Sequence, residues 1–304
     1  MMETVTFRAM VPGDAGAVYR LWGGLFPAHP LSFGEFNDLL FCAGPIDFSL
    51  YRVACTEQKI AGVACGAADR ESETGFIQFI GVAEGCRRHG IGRNLMDYLA
   101  GEFRKQNIRK VVFSGYPRNY LVPGLDAQQY PIGLPFFESL GFTVQSRPVS
   151  MRIPLDRYSP PPNPMPGDFT LEPFADEHLA GVLWLCREYL HPEWVETVQK
   201  GYIKGAHSCT GVVCLGPGRE VAGFAFYGMV GDDPNRFGPI GVDPRHRGKS
   251  IGAALLHGCL RSQKEAGCPE SYFLWGDEGS VAVNMYTKNG FSVFSSMAIL
   301  EKEL

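Results

Sequence analysis

One motif, written twice at a fixed separation, constrains this chain more than any other feature. Residues 78–92 read Q-F-I-G-V-A-E-G-C-R-R-H-G-I-G, and residues 238–252 read G-P-I-G-V-D-P-R-H-R-G-K-S-I-G. Ile-Gly-Val stands at 80–82 and again at 240–242, and Ile-Gly at 91–92 and 251–252, so the offset is 160 residues in both cases. A chain of 304 residues is long enough for two domains that each bury a core, and the constant offset favours two related ones.

Each copy packs a strand, a tight basic turn and a helix start into fifteen residues. In the second, Ile240, Gly241 and Val242 form a short apolar run that ends at Asp243-Pro244, and Ile251, Leu255, Leu256 and Cys259 recur at helical spacing. Between them lie Arg247, Gly248, Lys249 and Ser250; in the first copy Arg87, Arg88, His89 and Gly90 lie between Ile80-Gly81-Val82 and Ile91-Gly92. A turn of this kind leaves the first N–H groups of the helix unpaired, with the positive end of the helix dipole behind them. That is a cradle for a pyrophosphate. Glycine at Gly252 and Gly92 lets an anion approach the backbone.

The pattern resembles the GNAT superfamily of acyl-CoA-dependent N-acetyltransferases, whose motif is Arg or Gln, two variable residues, Gly, one variable residue, then Gly or Ala, directly after a strand. Arg87, Gly90 and Gly92 satisfy all three positions; Arg247 and Gly252 do so in the second copy, where Ser250 replaces the middle glycine. The resemblance covers nearly the entire chain. It implies a mixed α/β fold of two tandem domains, each a mostly antiparallel sheet flanked by helices. It also implies acetyl-CoA as cofactor, held by residues 80–82, 87–92, 240–242 and 247–252.

Composition narrows the function classes. A net charge of −4 with both signs dispersed gives no basic stripe for nucleic acid. The N-terminus has no apolar run of signal length and nothing approaches a membrane span, so a cytoplasmic protein is expected. Nine cysteines without C-x-x-C read as free thiols, and seven histidines without H-E-x-x-H imply no metal.

Taken in order, 5–8 alternates as a strand and Asp14 opens a helix bearing Val18, Leu21, Trp22 and Leu25. A hairpin turning at Glu57-Gln58-Lys59 follows, then the strand 76–82, the cradle helix with Leu95, Tyr98, Leu99 and Phe103 inward, and a strand at 110–114. Residues 116–130 form an aperiodic loop with three tyrosines, and 134–140 a short helix stopped by Gly141 before a closing strand that begins at Phe142 and runs toward Ile153. The proline-rich stretch 158–167 reads as a linker between an N-terminal domain, 1–157, and a C-terminal one, 168–304, in which the same element order restarts and closes on a final strand from Gly290-Phe291.

Acetyl transfer to an amine needs a held cofactor, a neutral amine, a stabilised oxyanion and a proton for the thiolate. By resemblance, the backbone of Ile240 to Val242 pairs with the pantetheine arm and donates to the thioester oxygen. Tyr286, four residues before Gly290-Phe291, is then the acid; its other reading is a core aromatic. The same register in the first half holds Phe137, so that half either binds acyl-CoA without turnover or uses Tyr120 or Tyr130 instead. The family's asparagine seven residues before the tyrosine is Gly279 here, and Asn284 does not replace it. Asp232, Asp233, Asp277 and Glu278 are candidate bases, each of which reads first as a turn or cap residue. The expected acceptor is a small-molecule primary amine and the expected assembly a pseudo-symmetric monomer or a homodimer. An acyl-CoA-binding protein without activity and a protein-modifying transferase are the alternatives.

Overall fold

The computed structural model describes all residues except 1–3, 43, 58, 117–119, 163–164, 166, 206–209 and 232. Gln58 of the expected hairpin turn, part of the proline-rich stretch and Asp232 therefore lie outside the described residues.

The chain first runs through β1 (Thr6–Ala9), α1 (Ala15–Leu25), α2 (Phe33–Phe41), β2 (Tyr51–Cys55), β3 (Ile60–Asp69), β4 (Thr74–Val82), α3 (Ile91–Lys105), β5 (Lys110–Phe113), α4 (Gly133–Glu138) and β6 (Thr143–Ser146). It continues through β7 (Val149–Pro154), β8 (Thr170–Pro173), α5 (Leu179–Tyr189), α6 (Glu193–Ile203), β9 (Gly211–Leu215), β10 (Val221–Tyr227), β11 (Phe237–Val242), α7 (Ile251–Glu265), β12 (Glu270–Gly276), α8 (Val281–Lys288), β13 (Ser292–Ser296) and β14 (Ile299–Glu303). The architecture is mixed α/β and mostly antiparallel. Helix α6 has no counterpart among the expected elements.

The two compact units are residues 1–148 with 296–304, and residues 149–295. This division differs from the one expected at the proline-rich stretch, and strand pairing gives the reason. The segment after Phe142 is not one closing strand but two, β6 and β7, and only β6 stays in the first unit. Likewise the segment after Phe291 is β13 and β14, and β14 belongs to the first unit.

The first unit is built on a seven-stranded sheet ordered β1-β2-β3-β4-β5-β14-β6, antiparallel except for β4 with β5. Strand β14 is interior: Leu300 pairs with Phe113 on one side and Val144 on the other, and its side chain is fully buried. Helix α3 packs Ile91, Leu95, Met96, Leu99 and Phe103 inward, while Tyr98 is half-buried beneath the Arg52 guanidinium at 4.2 Å.

The second unit divides its strands between a four-stranded sheet, β11-β10-β9-β8, and a three-stranded one, β12-β7-β13. Burial matches the central place of β7: Val149, Ser150, Met151 and Ile153 are buried, and only Arg152 and Pro154 face outward. Helix α7 covers this unit with Ile251, Leu255, Leu256, Cys259 and Leu260, all buried.

Candidate functional site

In both units the sheet splits beside the repeated motif. Strand β4 pairs in parallel with β5 only over Thr74 to Ile77, so Gln78 to Val82 runs on with its far edge clear of β5. The residue just before β11 makes a single parallel bridge to β12 among the described residues, Arg236 with Tyr272, and β11 forms no ladder with β12 beyond it. The split coincides with a bulge. On β4 the register slips between Cys65↔Phe79 and Gly66↔Ile77, making Gln78 the extra residue; on β11 it slips between Ala225↔Ile240 and Tyr227↔Phe237, leaving Gly238 and Pro239 opposite one residue. An extra residue bends its strand away from its neighbour, which opens the sheet at that point. Ile80, Gly81 and Val82, and Ile240, Gly241 and Val242, follow the bulge and keep their other edge paired with β3 and β10.

The turns that follow share one conformation at the 160-residue offset. A short 3-10 turn, Glu84–Cys86 or Pro244–His246, leads to an extended arginine, and Nε of that arginine donates to the last carbonyl of the strand, Arg87 to Val82 at 3.1 Å and Arg247 to Val242 at 3.4 Å. Two left-handed residues then turn the chain into the helix: Arg88 at φ 66° and Gly90 at 78°, or Gly248 at 78° and Ser250 at 62°. Ser250 thus occupies the conformation of the glycine it replaces. The first helical bonds run from Asn94 N–H to Gly90 and from Ala254 N–H to Ser250, and no side chain caps either helix. The N–H groups of residues 91–93 and 251–253 therefore have no carbonyl to bond within their helices.

The rest of each turn leaves this end open. Arg88, His89 and Gly90 are exposed, as are Arg247, Gly248, Lys249 and Ser250, whereas Ile91 and Ile251 are buried and anchor the helices. A Cβ at Gly90 or Gly248 would meet nothing within 4 Å. Lys249 Nζ lies 5.1 Å from the centre of the Phe169 ring. Gly92 and Gly252 carry the packing of the short helices: a Cβ at Gly92 would come within 3.1 Å of the Phe136 ring, and one at Gly252 within 3.5 Å of Met285 Sδ.

The residues after those two contacts are Phe137 and Tyr286. Tyr286, only 6 % exposed, straddles the split, its ring centre 6.0 Å from Phe237 on β11 and 4.5 Å from Phe273 on β12. Burial, with a smaller contribution from Cys259, pushes its phenol far above the ordinary range, so the hydroxyl keeps its proton.

The described acidic candidates hold turns or face solvent. Asp233 accepts from Asn235 N–H at 2.8 Å, Asn235 Nδ2 at 2.7 Å and the Tyr272 hydroxyl at 2.7 Å, so it holds the loop before β11. Asp277 and Glu278 are exposed, and Asp277 accepts from Trp275 Nε1 at 3.1 Å. In the first unit Tyr130 packs edge-on against Phe26 at 5.0 Å, and its hydroxyl is buried without a hydrogen-bond partner among the described residues. The bulge residues Gln78 and Gly238 were not among the expected site residues, although a Gly-Pro pair inside a strand pattern is a bulge signal. No group of three or more His, Cys, Asp or Glu that could hold a metal occurs among the described residues, and none of the described helices is long and apolar enough to cross a membrane.

Comparison with known proteins agrees with this geometry. The acetyltransferase (GNAT) family profile matches residues 18–120, and an acetyltransferase (GNAT) domain profile matches residues 207–293. No curated protein matches by sequence. Among solved structures, the GCN5-related glucosamine N-acetyltransferase region of a fungal multi-domain GH3 beta-N-acetylglucosaminidase superposes with a TM-score of 0.80 at 18 % identity, covering 99 % of this chain and 38 % of that one. The present chain therefore spans well under half of that protein. A GCN5-related N-acetyltransferase from Sphaerobacter thermophilus gives 0.74 at 18 % identity, covering 98 % of this chain and 95 % of its own. A tandem GNAT protein from the clavulanic acid biosynthesis pathway gives 0.69 at 17 %, covering 99 % and 98 %. With two family matches in sequence and a tandem relative in structure, the chain belongs to the GNAT acetyltransferases as a member with two such domains in tandem.

Proposed function

We propose that the protein transfers an acetyl group from acetyl-CoA to a primary amine of a small molecule, with the chemistry in the second unit. The observation that carries this reading is the place of Tyr286, a protonated phenol between the diverging strands β11 and β12. Acetyl-CoA supplies the acetyl group as an activated thioester. The open turn at residues 247–252, with its unpaired N–H groups and the positive end of α7 behind them, fits a pyrophosphate. Arg87 to Gly92 fit one equally well, so both units are assigned a cofactor cradle.

Within the second unit the free edge of Ile240 to Val242 presents backbone N–H groups at the split, where they orient the acyl group and stabilise negative charge on its oxygen. Tyr286 Oη holds the proton for the leaving group. Because Asp233 is fully engaged and Asp277 and Glu278 face solvent, the amine loses its proton to water. The first unit has Phe137 in place of Tyr286 and is assigned binding without turnover. Glucosamine, named for the fungal relative, is itself a primary amine on a small molecule.

The test is calorimetry with acetyl-CoA, expected to show two sites per chain, followed by thiol-release assays on a panel of small primary amines that includes glucosamine. One site per chain would remove one cradle. Acetyl-CoA binding with no turnover on small amines or on peptide N-termini would favour a binding protein instead.

A further inference from the structure

Tyr286 sits in the last turn of α8, and side chains that the first unit lacks tie that turn to α7. Asn289, which ends α8, donates its backbone N–H to the carbonyls of Met285 and Tyr286 at 3.1 and 3.0 Å, and its side-chain Nδ2 to the Met285 carbonyl at 2.8 Å. The Met285 carbonyl belongs to the peptide group whose nitrogen is that of Tyr286, so Asn289 grips the backbone on both sides of the tyrosine. A carbonyl only accepts, which turns the Asn289 nitrogen toward it and leaves Oδ1 for the other partner of the side chain, the His257 imidazole.

His257 lies on α7 and is 5 % exposed. Its Nδ1 is 2.5 Å from the hydroxyl of Tyr158, in the segment that follows β7, and the two rings stack at 6.2 Å and 21°. Since Nδ1 meets Tyr158, Nε2–H is the group that donates to Asn289 Oδ1, and Nδ1 is the bare nitrogen that accepts the Tyr158 proton. Burial, with Arg261 acting in the same direction, lowers the imidazole pKa, and burial pushes the Tyr158 phenol up to about 12, so near neutral pH both rings are uncharged and the direction of the bonds is fixed. Tyr158 is itself held by Lys264, whose Nζ donates to its carbonyl at 2.7 Å.

The first unit has none of this. At the 160-residue offset Asp97 stands in place of His257 and is exposed, and Leu140, three residues after Phe137, stands in place of Asn289. A helix end has to be closed in both units, whereas a phenol has to be aimed only in the second. We propose that His257 and Asn289 are positioning residues for Tyr286: they fix the backbone at the end of α8 so that the Tyr286 hydroxyl stays at the split between β11 and β12, with Tyr158 setting the tautomer of His257. The proposal rests on the reading of Tyr286 as the proton donor in the transfer reaction.

The test uses the full chain with tyrosine labelled with carbon-13 at Cζ, so that the Tyr286 signal, assigned by its loss in Tyr286→Phe, is read by NMR without turnover. Asn289→Ala and, separately, His257→Leu should each move that signal and lower kcat about tenfold or more with acetyl-CoA affinity unchanged, the scale expected when a reacting group is displaced by a fraction of about 1 Å. In a Tyr286→Phe background neither substitution should lower kcat further, because residues that act through one group do not add to its loss. Asn289 is half-buried, so Asn289→Ala reports even if His257→Leu unfolds the unit. An unmoved Tyr286 signal in folded Asn289→Ala protein, or a kcat loss that persists in full in the Tyr286→Phe background, would overturn the proposal and leave these bonds a purely structural tie. A moved Tyr286 signal in a protein that turns over no amine would uphold the positioning and count against the transfer reading alone, so the two fail separately.

Discussion

Phe137 and Tyr286 occupy the same aromatic box. The Phe137 ring lies 4.5 Å from Phe113 at 44°, and the Tyr286 ring lies 4.5 Å from Phe273 at 48°; Phe142 and Phe291 close the two boxes at 5.2 and 5.5 Å. The two positions therefore differ by one hydroxyl in matched surroundings. Tyr286→Phe should leave the melting temperature and acetyl-CoA affinity nearly unchanged while lowering kcat about 10² to 10⁴-fold, the usual worth of a positioned general acid. Steady-state kinetics beside calorimetry separate these quantities. Full kcat in the variant would end the acid assignment, and lost cofactor binding would make Tyr286 a packing residue.

The two cradles distribute backbone strain in opposite ways. Arg88 takes a left-handed conformation where the second copy has Gly248, and Ser250 takes one where the first has Gly90. A side chain in that region costs about 1–2 kcal/mol, and glycine returns part of that gain through a freer unfolded chain. Arg88→Gly and Ser250→Gly should each stabilise the protein by about 0.5–1 kcal/mol in urea unfolding. Arg88→Gly also removes a cation from the cradle, so it should weaken acetyl-CoA binding while Ser250→Gly should not.

Acid should act on the turn that leads into the second cradle. Asp243 is 1 % exposed and accepts from Arg245 N–H at 2.8 Å and from the Arg245 guanidinium at 2.5 to 3.0 Å, which holds its carboxyl below the usual range. A depressed carboxyl contributes stability above its unfolded pKa, near 4, and that contribution is lost as pH falls through the lower folded value. Asp14, bound by Arg8 at 2.6 and 2.8 Å, behaves alike in the first unit. Melting temperature should fall below about pH 4, and Asp243→Asn should flatten that fall while lowering stability at pH 7.

Cutting the gene at the proline-rich stretch should not give two folded domains. A fragment of residues 1–157 lacks β14, and one of residues 168–304 lacks β7, each an interior strand of its sheet. Expressed alone, each fragment should be insoluble or lack cooperative unfolding; co-expressed, the two should copurify. Two independently soluble fragments with sharp melting transitions would contradict the pairing.

How far the sequence reached is clear at these same places. The 160-residue offset carried over into structure at residue level, from Arg87 and Arg247 bonding back to their strands to the left-handed Gly90 and Ser250, because turn, cap and helix start are local. The closing strands expected from Phe142 and from Gly290-Phe291 each proved to be two, and their partners were not legible, since pairing across a hundred residues leaves no trace in local periodicity. Helix α6 escaped because its exposed Ile203 and half-buried Trp194, Val195 and Tyr202 blur the apolar stripe. Of the candidate site, the strand–turn–helix order of 80–92 and 240–252 was legible from spacing, and Tyr286 entered by resemblance; the engagement of Asp233 by Tyr272 was not legible, because a turn aspartate and a base have the same letter.

The place of β14 also sets the order in which the chain can mature as it leaves the ribosome. Strands β5 and β6 are neighbours of β14 and not of each other, and about 150 residues separate β6 from β14 along the chain. At roughly 5–20 residues per second, residue 303 follows β6 by about 8–30 s. Throughout that interval the nascent first unit carries two unmatched strand edges, the kind of surface on which chaperones act. Synonymous codons that slow translation between 149 and 295 would lengthen this exposed period and lower the soluble yield without altering a single residue of the finished protein.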